Sequence, residues 1–424
     1  MASLDEYLAR ATAAGPDRTL PGCVMIAYKD GKAHYKAFGT ESVDPSLPQY
    51  EKPLSVDSYM WVASCTKLMT AIAALQCVEK GLLTLDDDIS VFVPEWTERK
   101  ILRGFDEATG IPLLEAAKGK LSLRMLLTHS SGLGYAFIHE PLAKYIKYKV
   151  ANGWELESEL LVRPMCPDVP VPLLFEPATN WSYGIGTDWA GKLVERVNGQ
   201  SLGKFMQQNI WKPLGMGAAA FRIHDRPDIR DRQAQMSIRN GDGTLGPHPR
   251  PYFPENTSAD HGGGGVFTNP RDYFKVLVAC VNSDPVLLTP ASYELLCEPS
   301  LTLPAAAAFQ TMRTQALEAA NAAAEQRGTP MTIPGAKQWT WAVGGSLNLD
   351  DVPGGRRAGT IAWGGLPNLS WTVDRASGVA VLYASQLLPP GEALTAWVVR
   401  QLEAEVYSGA FFDGASVLGE EVKE

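Results

Sequence analysis

The sequence predicts an α/β protein of the α+β kind: an antiparallel sheet flanked by helices, built from both ends of the chain, with a mainly helical domain inserted. Three observations predict it. Residues 24–38 carry a strand–turn–strand pattern, and residues 339–386 return to a period of two in short runs broken by glycine. Between them runs a long stretch of helical periodicity and loops rich in Pro and Gly.

Leu4 to Ala13 reads as a short amphipathic helix. Val24 to Tyr28 and His34 to Phe38 form a hairpin around Lys29-Asp30-Gly31, because Asp-Gly tolerates the positive φ of a tight turn. A loop carrying Pro45, Pro48 and Pro53 leads to a helix from Ser64 to Glu79, apolar nearly all round and therefore buried, which Gly81 ends. From about 85 to 225 the pattern is mainly helical, with Leu202, Phe205, Met206 and Ile210 on one apolar face. Ala305 to Gln326 is an alanine-rich helix. Trp339 to Leu349, Arg357 to Trp363, Ser370 to Asp374 and Gly378 to Gln386 follow as antiparallel strands, and a helix from Glu392 to Tyr407 closes the fold. Residues 1–84 and 205–424 then make one split sheet domain and residues 85–204 the helical one, with the active site between them.

Composition narrows the function. The 424 residues are 45% apolar, ample for a large core, and 47 acidic against 38 basic side chains leave a net charge of −9. That balance speaks against a nucleic-acid footprint, and no basic run suggests a membrane surface. No apolar stretch reaches the roughly 18 residues of a spanning helix. Asp5 and Glu6 stand where a signal peptide carries a basic start, so a cytoplasmic location is expected. Cys23, Cys65, Cys77, Cys166, Cys280 and Cys297 are scattered without the spacing of a zinc site. No metal and no cofactor are expected, and the thiols read as buried.

Ser64-Cys65-Thr66-Lys67 places a serine at the head of the buried helix with a lysine three residues on, so both side chains share a face. A serine hydroxyl is a poor nucleophile until a base takes its proton, and an amine in an apolar site is favoured in its neutral, basic form. The helix N-terminus favours negative charge developing beside it. A rival is Ser201 in Gly199-Gln200-Ser201-Leu202-Gly203, which fits the G-x-S-x-G elbow, with His261-Gly262-Gly263-Gly264-Gly265 imitating an oxyanion loop. An elbow needs a strand before the serine, whereas residues 189–197 are helical in pattern and Asn198-Gly199 is a helix stop. Ser201 therefore reads as an N-cap. Tyr183 in Trp181-Ser182-Tyr183-Gly184 is a candidate proton shuttle to a leaving group, since an ammonium nearby stabilises a phenolate.

In this order the residues resemble the serine β-lactamase-like superfamily, closest to class C β-lactamases and family VIII esterases. The resemblance covers nearly the whole chain. It rests on Ser64-Cys65-Thr66-Lys67, Leu126-Leu127-Thr128-His129-Ser130-Ser131-Gly132-Leu133 and Trp181-Ser182-Tyr183. It continues in Pro213-Leu214-Gly215-Met216, Gly263-Gly264-Gly265-Val266-Phe267 and Trp363-Gly364-Gly365. Asp188 to Arg196 and Gly365-Leu366-Pro367-Asn368 are most similar to the fungal acyltransferases of the lovastatin type. The resemblance implies a β-lactamase/transpeptidase-like fold, Ser64 as nucleophile, Lys67 and Tyr183 as general acid/base pair, and the backbone amides of Ser64 and Leu366 as oxyanion hole. It gives His129 and the glycine run structural tasks.

Two departures narrow the substrate. Penicillin-recognising members carry Tyr-x-Asn, and here the third place is Ile185; they carry Lys-Thr-Gly, and here it is Trp363-Gly364-Gly365. The cation for a substrate carboxylate and the amide for a peptide-like side chain are both gone, so β-lactam turnover is disfavoured. An uncharged, more apolar ester or thioester is favoured, with Tyr135, Phe137, Trp363, Gly364, Gly365 and Trp371 as candidate walls of its pocket. The reading is an acyltransferase that passes an acyl group from Ser64 to an alcohol of a small natural product, with carboxylesterase as the alternative. An acyl-carrier protein as donor and the oligomeric state are left open.

Overall fold

A computed structural model describes residues 3–154, 171–249, 251–326 and 335–418. The first hairpin is as expected: β1 (Gly22–Lys29) and β2 (Lys32–Gly39) pair antiparallel about Asp30 and Gly31, both at positive φ. They join β3 (Trp339–Ala342), β4 (Gly345–Asn348), β5 (Ile361–Gly365), β6 (Leu369–Asp374), β7 (Val379–Ala384) and the short β8 (Ser416–Val417). The eight strands run in the order β3-β4-β5-β6-β7-β1-β2-β8, all antiparallel. Pairing of β1 with β7 is the point where the two ends of the chain become one sheet.

Both faces of that sheet are covered. Along β1, Val24 and Ile26 join the larger core with α2 (Thr66–Glu79), while Cys23, Met25 and Ala27 join a second core with α1 (Leu4–Ala11) and α6 (Ala393–Ser408). Every residue of α2 from Thr66 to Cys77 is buried, which is why its sequence shows no polar stripe. Side chains such as Leu68, Ile72 and Leu75 each contribute about 2 kcal/mol by leaving water.

Two expectations change. Residues 339–349 are not one strand but the hairpin β3–β4, broken at Val343-Gly344. A Cβ at Gly344 would lie 2.8 Å from the Leu296 carbonyl, so the chain must turn there where a strand would carry a side chain into backbone. The segment expected to be mainly helical contains a hairpin, Lys100–Phe105 paired with Pro112–Ala116, beside its helices Glu140–Ala151 and α3 (Gly186–Asn198). Its outer strand is mostly exposed, so burial imposes no alternation on the sequence. Residues 155–170, also inside that segment, lie outside the described residues. No helix among the described residues is long and apolar enough to cross a membrane.

One register detail positions the site. β4 pairs with β5 only through Ser346–Ala362 and Leu347–Ile361, whereas β6 pairs along the whole of β5. Trp363, Gly364 and Gly365 therefore project past β4 with a free edge. There β5 meets the turn that carries Ser64: a Cβ on Gly365 would stand 2.6 Å from the Val62 carbonyl.

Candidate active site

Ser64 lies in a three-ten turn, Ala63–Cys65, that runs straight into α2. Ala63 holds a positive φ of 46°, a conformation that costs a non-glycine residue about 1–3 kcal/mol and is found where a turn presents a functional side chain. Lys67, one turn later, is buried, and its Nζ reaches three oxygens: Ser64 Oγ at 3.2 Å, Tyr135 Oη at 3.0 Å and the Gly263 carbonyl at 2.5 Å. Tyr183 donates its hydroxyl to Ser64 Oγ at 2.7 Å, and Lys67 Nζ stands 4.8 Å from the centre of its ring. The three residues singled out in the sequence thus meet at one oxygen.

The surroundings fix each partner. Tyr183 sits between the rings of His129, Tyr135 and Trp363, and the Trp363 indole donates to its hydroxyl at 3.1 Å. The chain passes so close behind Tyr183 that a Cβ on Gly184 would fall 2.2 Å from the Leu133 carbonyl. Lys67 is aimed by the glycine run, which does more than turn. The Gly263 carbonyl accepts from Lys67 while its amide donates to Asp188 Oδ1 at 2.9 Å, and Thr70 Oγ1 ties down the Gly262 carbonyl at 2.7 Å. Asp188 is fully buried; burial raises its pKa, opposed by the charges of His261 and Lys67. A Cβ at position 263 would lie 2.3 Å from Asp188 Oδ2, which is why a glycine stands there.

Several residues stand outside the chemistry. His129 is buried at a positive φ of 59°, accepts from the Gly184 amide at 3.4 Å and packs edge-on to Trp181 and Trp341. Burial first and the nearby Lys67 charge second hold its pKa well below the usual imidazole value. It stays neutral and serves the loop. Cys65 is fully buried with its thiol pKa pushed up, chiefly by desolvation, so it is no competing nucleophile. Ser201 caps α4 (Leu202–Met206), accepting from the Lys204 amide at 3.3 Å, after α3 ends on Gly199 in the left-handed conformation.

Ser64 opens into a cavity of about 780 Å³. Of the expected walls, Tyr135, Phe137, Trp363, Gly364 and Gly365 line it, together with Leu366. Trp371 does not. It is the cross-strand partner of Trp363 on the inner strand β6, 1% exposed and packed in the core near Lys67 and His129. Ile185, at the position of the family's asparagine, is likewise buried in the core at the start of α3. Tyr135 is the residue whose task the sequence understated, since its hydroxyl lies on Lys67; nothing in its local sequence predicts that contact. No group of three or more metal-ligating side chains occurs among the described residues.

The family model described as Beta-lactamase matches residues 5–405. The chain belongs to the beta-lactamase family. Among curated relatives, ML-236A carboxylate methylbutanoyltransferase of Penicillium citrinum is 33% identical over 92% of this chain and 91% of its own. Lovastatin esterase of Penicillium rubens is 35% identical over 91% and 94%. Among solved structures, unliganded simvastatin synthase of Aspergillus terreus superposes with a TM-score of 0.83 at 32% identity, covering 96% of this chain and 97% of the other.

Proposed function

We propose that this chain is a serine acyltransferase. It takes an acyl group from a thioester or activated ester onto Ser64 and passes it to an alcohol of a small natural product. The observation that carries the reading is the single oxygen, Ser64 Oγ, held at once by Lys67 Nζ and the Tyr183 hydroxyl at the wall of a largely apolar cavity.

In the first half-reaction Ser64 Oγ attacks the acyl carbonyl and its proton passes to the Lys67–Tyr183 pair. The carbonyl electrons collect on an oxyanion that the Ser64 and Leu366 amides hold. As they return, the bond to the leaving thiolate or alkoxide breaks, and that group takes its proton from the pair. In the second half-reaction the acceptor alcohol gives its proton to the same pair and attacks the acyl-Ser64 carbonyl, and the serine leaves reprotonated. Lys67 and Tyr183 end as they began. With Trp363 in place of a lysine, no cation sits beside Ser64 on β5 for a β-lactam carboxylate, so β-lactam turnover is expected to be weak or absent.

Water in place of the alcohol gives an esterase, and the likeness to lovastatin esterase favours that reading at a similar identity. The partition decides. With a short acyl thioester and a polyketide-type alcohol, ester is expected to form faster than free acid; free acid alone across a broad alcohol panel establishes the esterase. An ester or phosphonate label is expected to add its mass to the Ser64 peptide, to survive Ser201→Ala and to vanish in Ser64→Ala. The reverse pattern would move the nucleophile to Ser201.

A further inference from the structure

The cavity that holds Ser64 does not end at the acyl site. It is also lined by Arg313 on α5 (Leu303–Gln326), Arg356 in the loop between β4 and β5, and Arg400 on α6. Small or apolar residues, among them Ala362, Gly364, Ala396 and Val399, line the same cavity. Among the described residues, one carboxylate meets the group. Glu403 pairs with Arg356 through two bonds, Nε to Oε1 at 2.9 Å and Nη2 to Oε2 at 3.2 Å. Neither Arg313 nor Arg400 forms an ion pair among the described residues. Arg313 instead lies over the Trp339 ring, 4.5 Å from its centre, and its buried Nε has no partner. Ser346 Oγ, on the same cavity wall, is also buried and unpartnered.

Three guanidinium groups around one carboxylate, in a chain whose overall charge is −9, form an unmatched local excess of positive charge. Its cost shows on the arginines themselves. Burial first, and then repulsion from Arg356 and Arg400, push the Arg313 pKa down to about 10, and burial and Arg356 lower that of Arg400. An anion entering the cavity relieves that repulsion, and planar guanidinium groups bind oxyacids through paired hydrogen bonds.

We propose that Arg313 and Arg400, with Arg356 fixed beside them by Glu403, form an anion subsite for a carboxylate or phosphate carried by the substrate whose reacting group lies at Ser64. This rests on the acyl-transfer reading and deepens it. The substrate is apolar or neutral along its body and anionic at the end remote from the reacting bond. A carboxylate would sit on the ester or alcohol, and a phosphate on the pantetheine arm of a thioester donor.

Two matched pairs of substrates test it. The first is the butyryl ester of an ω-hydroxy fatty acid against the same ester capped as a primary amide; the second is butyryl phosphopantetheine against butyryl pantetheine. The charged member of one pair is expected to exceed its neutral partner about tenfold in kcat/KM, mainly through KM. The pair that shows the ratio tells carboxylate from phosphate. Arg313→Gln and Arg400→Gln are each expected to bring the ratio close to one, and Arg400→Lys to restore part of it; because each variant is its own control, partial misfolding does not mimic the result. Ratios near one in both pairs with Ser64-dependent turnover intact overturn the subsite and leave the acyl-transfer reading standing. If no substrate turns over, that reading fails, and the subsite is read by calorimetry on Ser64→Ala protein. Binding of the free ω-hydroxy acid or phosphopantetheine that exceeds its neutral counterpart and is lost in Arg313→Gln supports it; equal or absent binding overturns it.

Discussion

Lys67→Ala is expected to lower kcat/KM for a neutral ester by about 10³- to 10⁴-fold, and Tyr183→Phe by about 10²- to 10³-fold. The magnitude follows from the shared oxygen. Ser64 Oγ makes short contacts to both groups, 3.2 Å to Lys67 and 2.7 Å to Tyr183, so each alone leaves a serine with half of its proton path. Removing the amine also strands the Tyr135 hydroxyl and the Gly263 carbonyl, which lose the donor they share. Groups acting as a unit are not additive. The double variant is therefore expected to fall little below Lys67→Ala, far short of the product of the two losses. Rates of acyl-enzyme formation, followed as the burst of leaving group, check this. Retention of more than a tenth of wild-type acylation in Lys67→Ala, with the protein folded, would sink the assignment.

Trp363→Phe is a milder form of the same test, since it removes only the indole donor to the Tyr183 hydroxyl and keeps an aromatic wall. The structure gives Trp363 both tasks. In the family's penicillin-recognising members that place is a lysine directed at substrate; here an indole that donates to the hydroxyl of Tyr183, the proposed general acid, fills it, so a change read as a loss is also the gain of a contact.

What could be read from residue order was what local chemistry writes locally. The Asp30-Gly31 turn, the buried helix after Ser64, the Ser201 cap and the Ser64–Lys67 spacing each lie within a few residues, and the structure keeps all of them. The terminal strands were legible because β6 and β7 are buried and bounded by turns. What was not legible depends on pairing between distant segments. Tyr135 reaches Lys67 across 68 positions and Gly263 reaches it across 196. Trp371 has the same composition signal as Trp363 and is its direct cross-strand partner; what separates them is that β6 is an inner strand whereas β5 runs past the end of its pairing with β4, and neither fact is local to the sequence. The arginine group combines α5, a loop and α6, and no spacing in the sequence joins them.

Gly365→Ala is the second large effect, and it tests the part of the mechanism that no side chain reports. The proposed oxyanion donors are backbone amides of Ser64 and Leu366, on opposite sides of the contact between the Ser64 turn and the end of β5. A methyl at 365 would stand 2.6 Å from the Val62 carbonyl, so either the turn or the strand end must withdraw by several tenths of an ångström. That carbonyl is backbone, held in a chain whose Val62 amide donates to the Val266 carbonyl at 3.0 Å, and it cannot rotate away as a side chain would. Separating the two amides costs hydrogen bonds to the tetrahedral intermediate that the planar ester does not yet demand. kcat for acylation is expected to fall by about 10²- to 10³-fold while KM changes little. Gly364→Ala is the control: its methyl would meet the Leu369 carbonyl at 2.2 Å within the β5–β6 ladder, so its first effect is on the melting temperature. If Gly365→Ala keeps wild-type kcat with an unchanged melting temperature, the strand end has room to yield, and the oxyanion hole must be sought in other donors around the Ser64 turn.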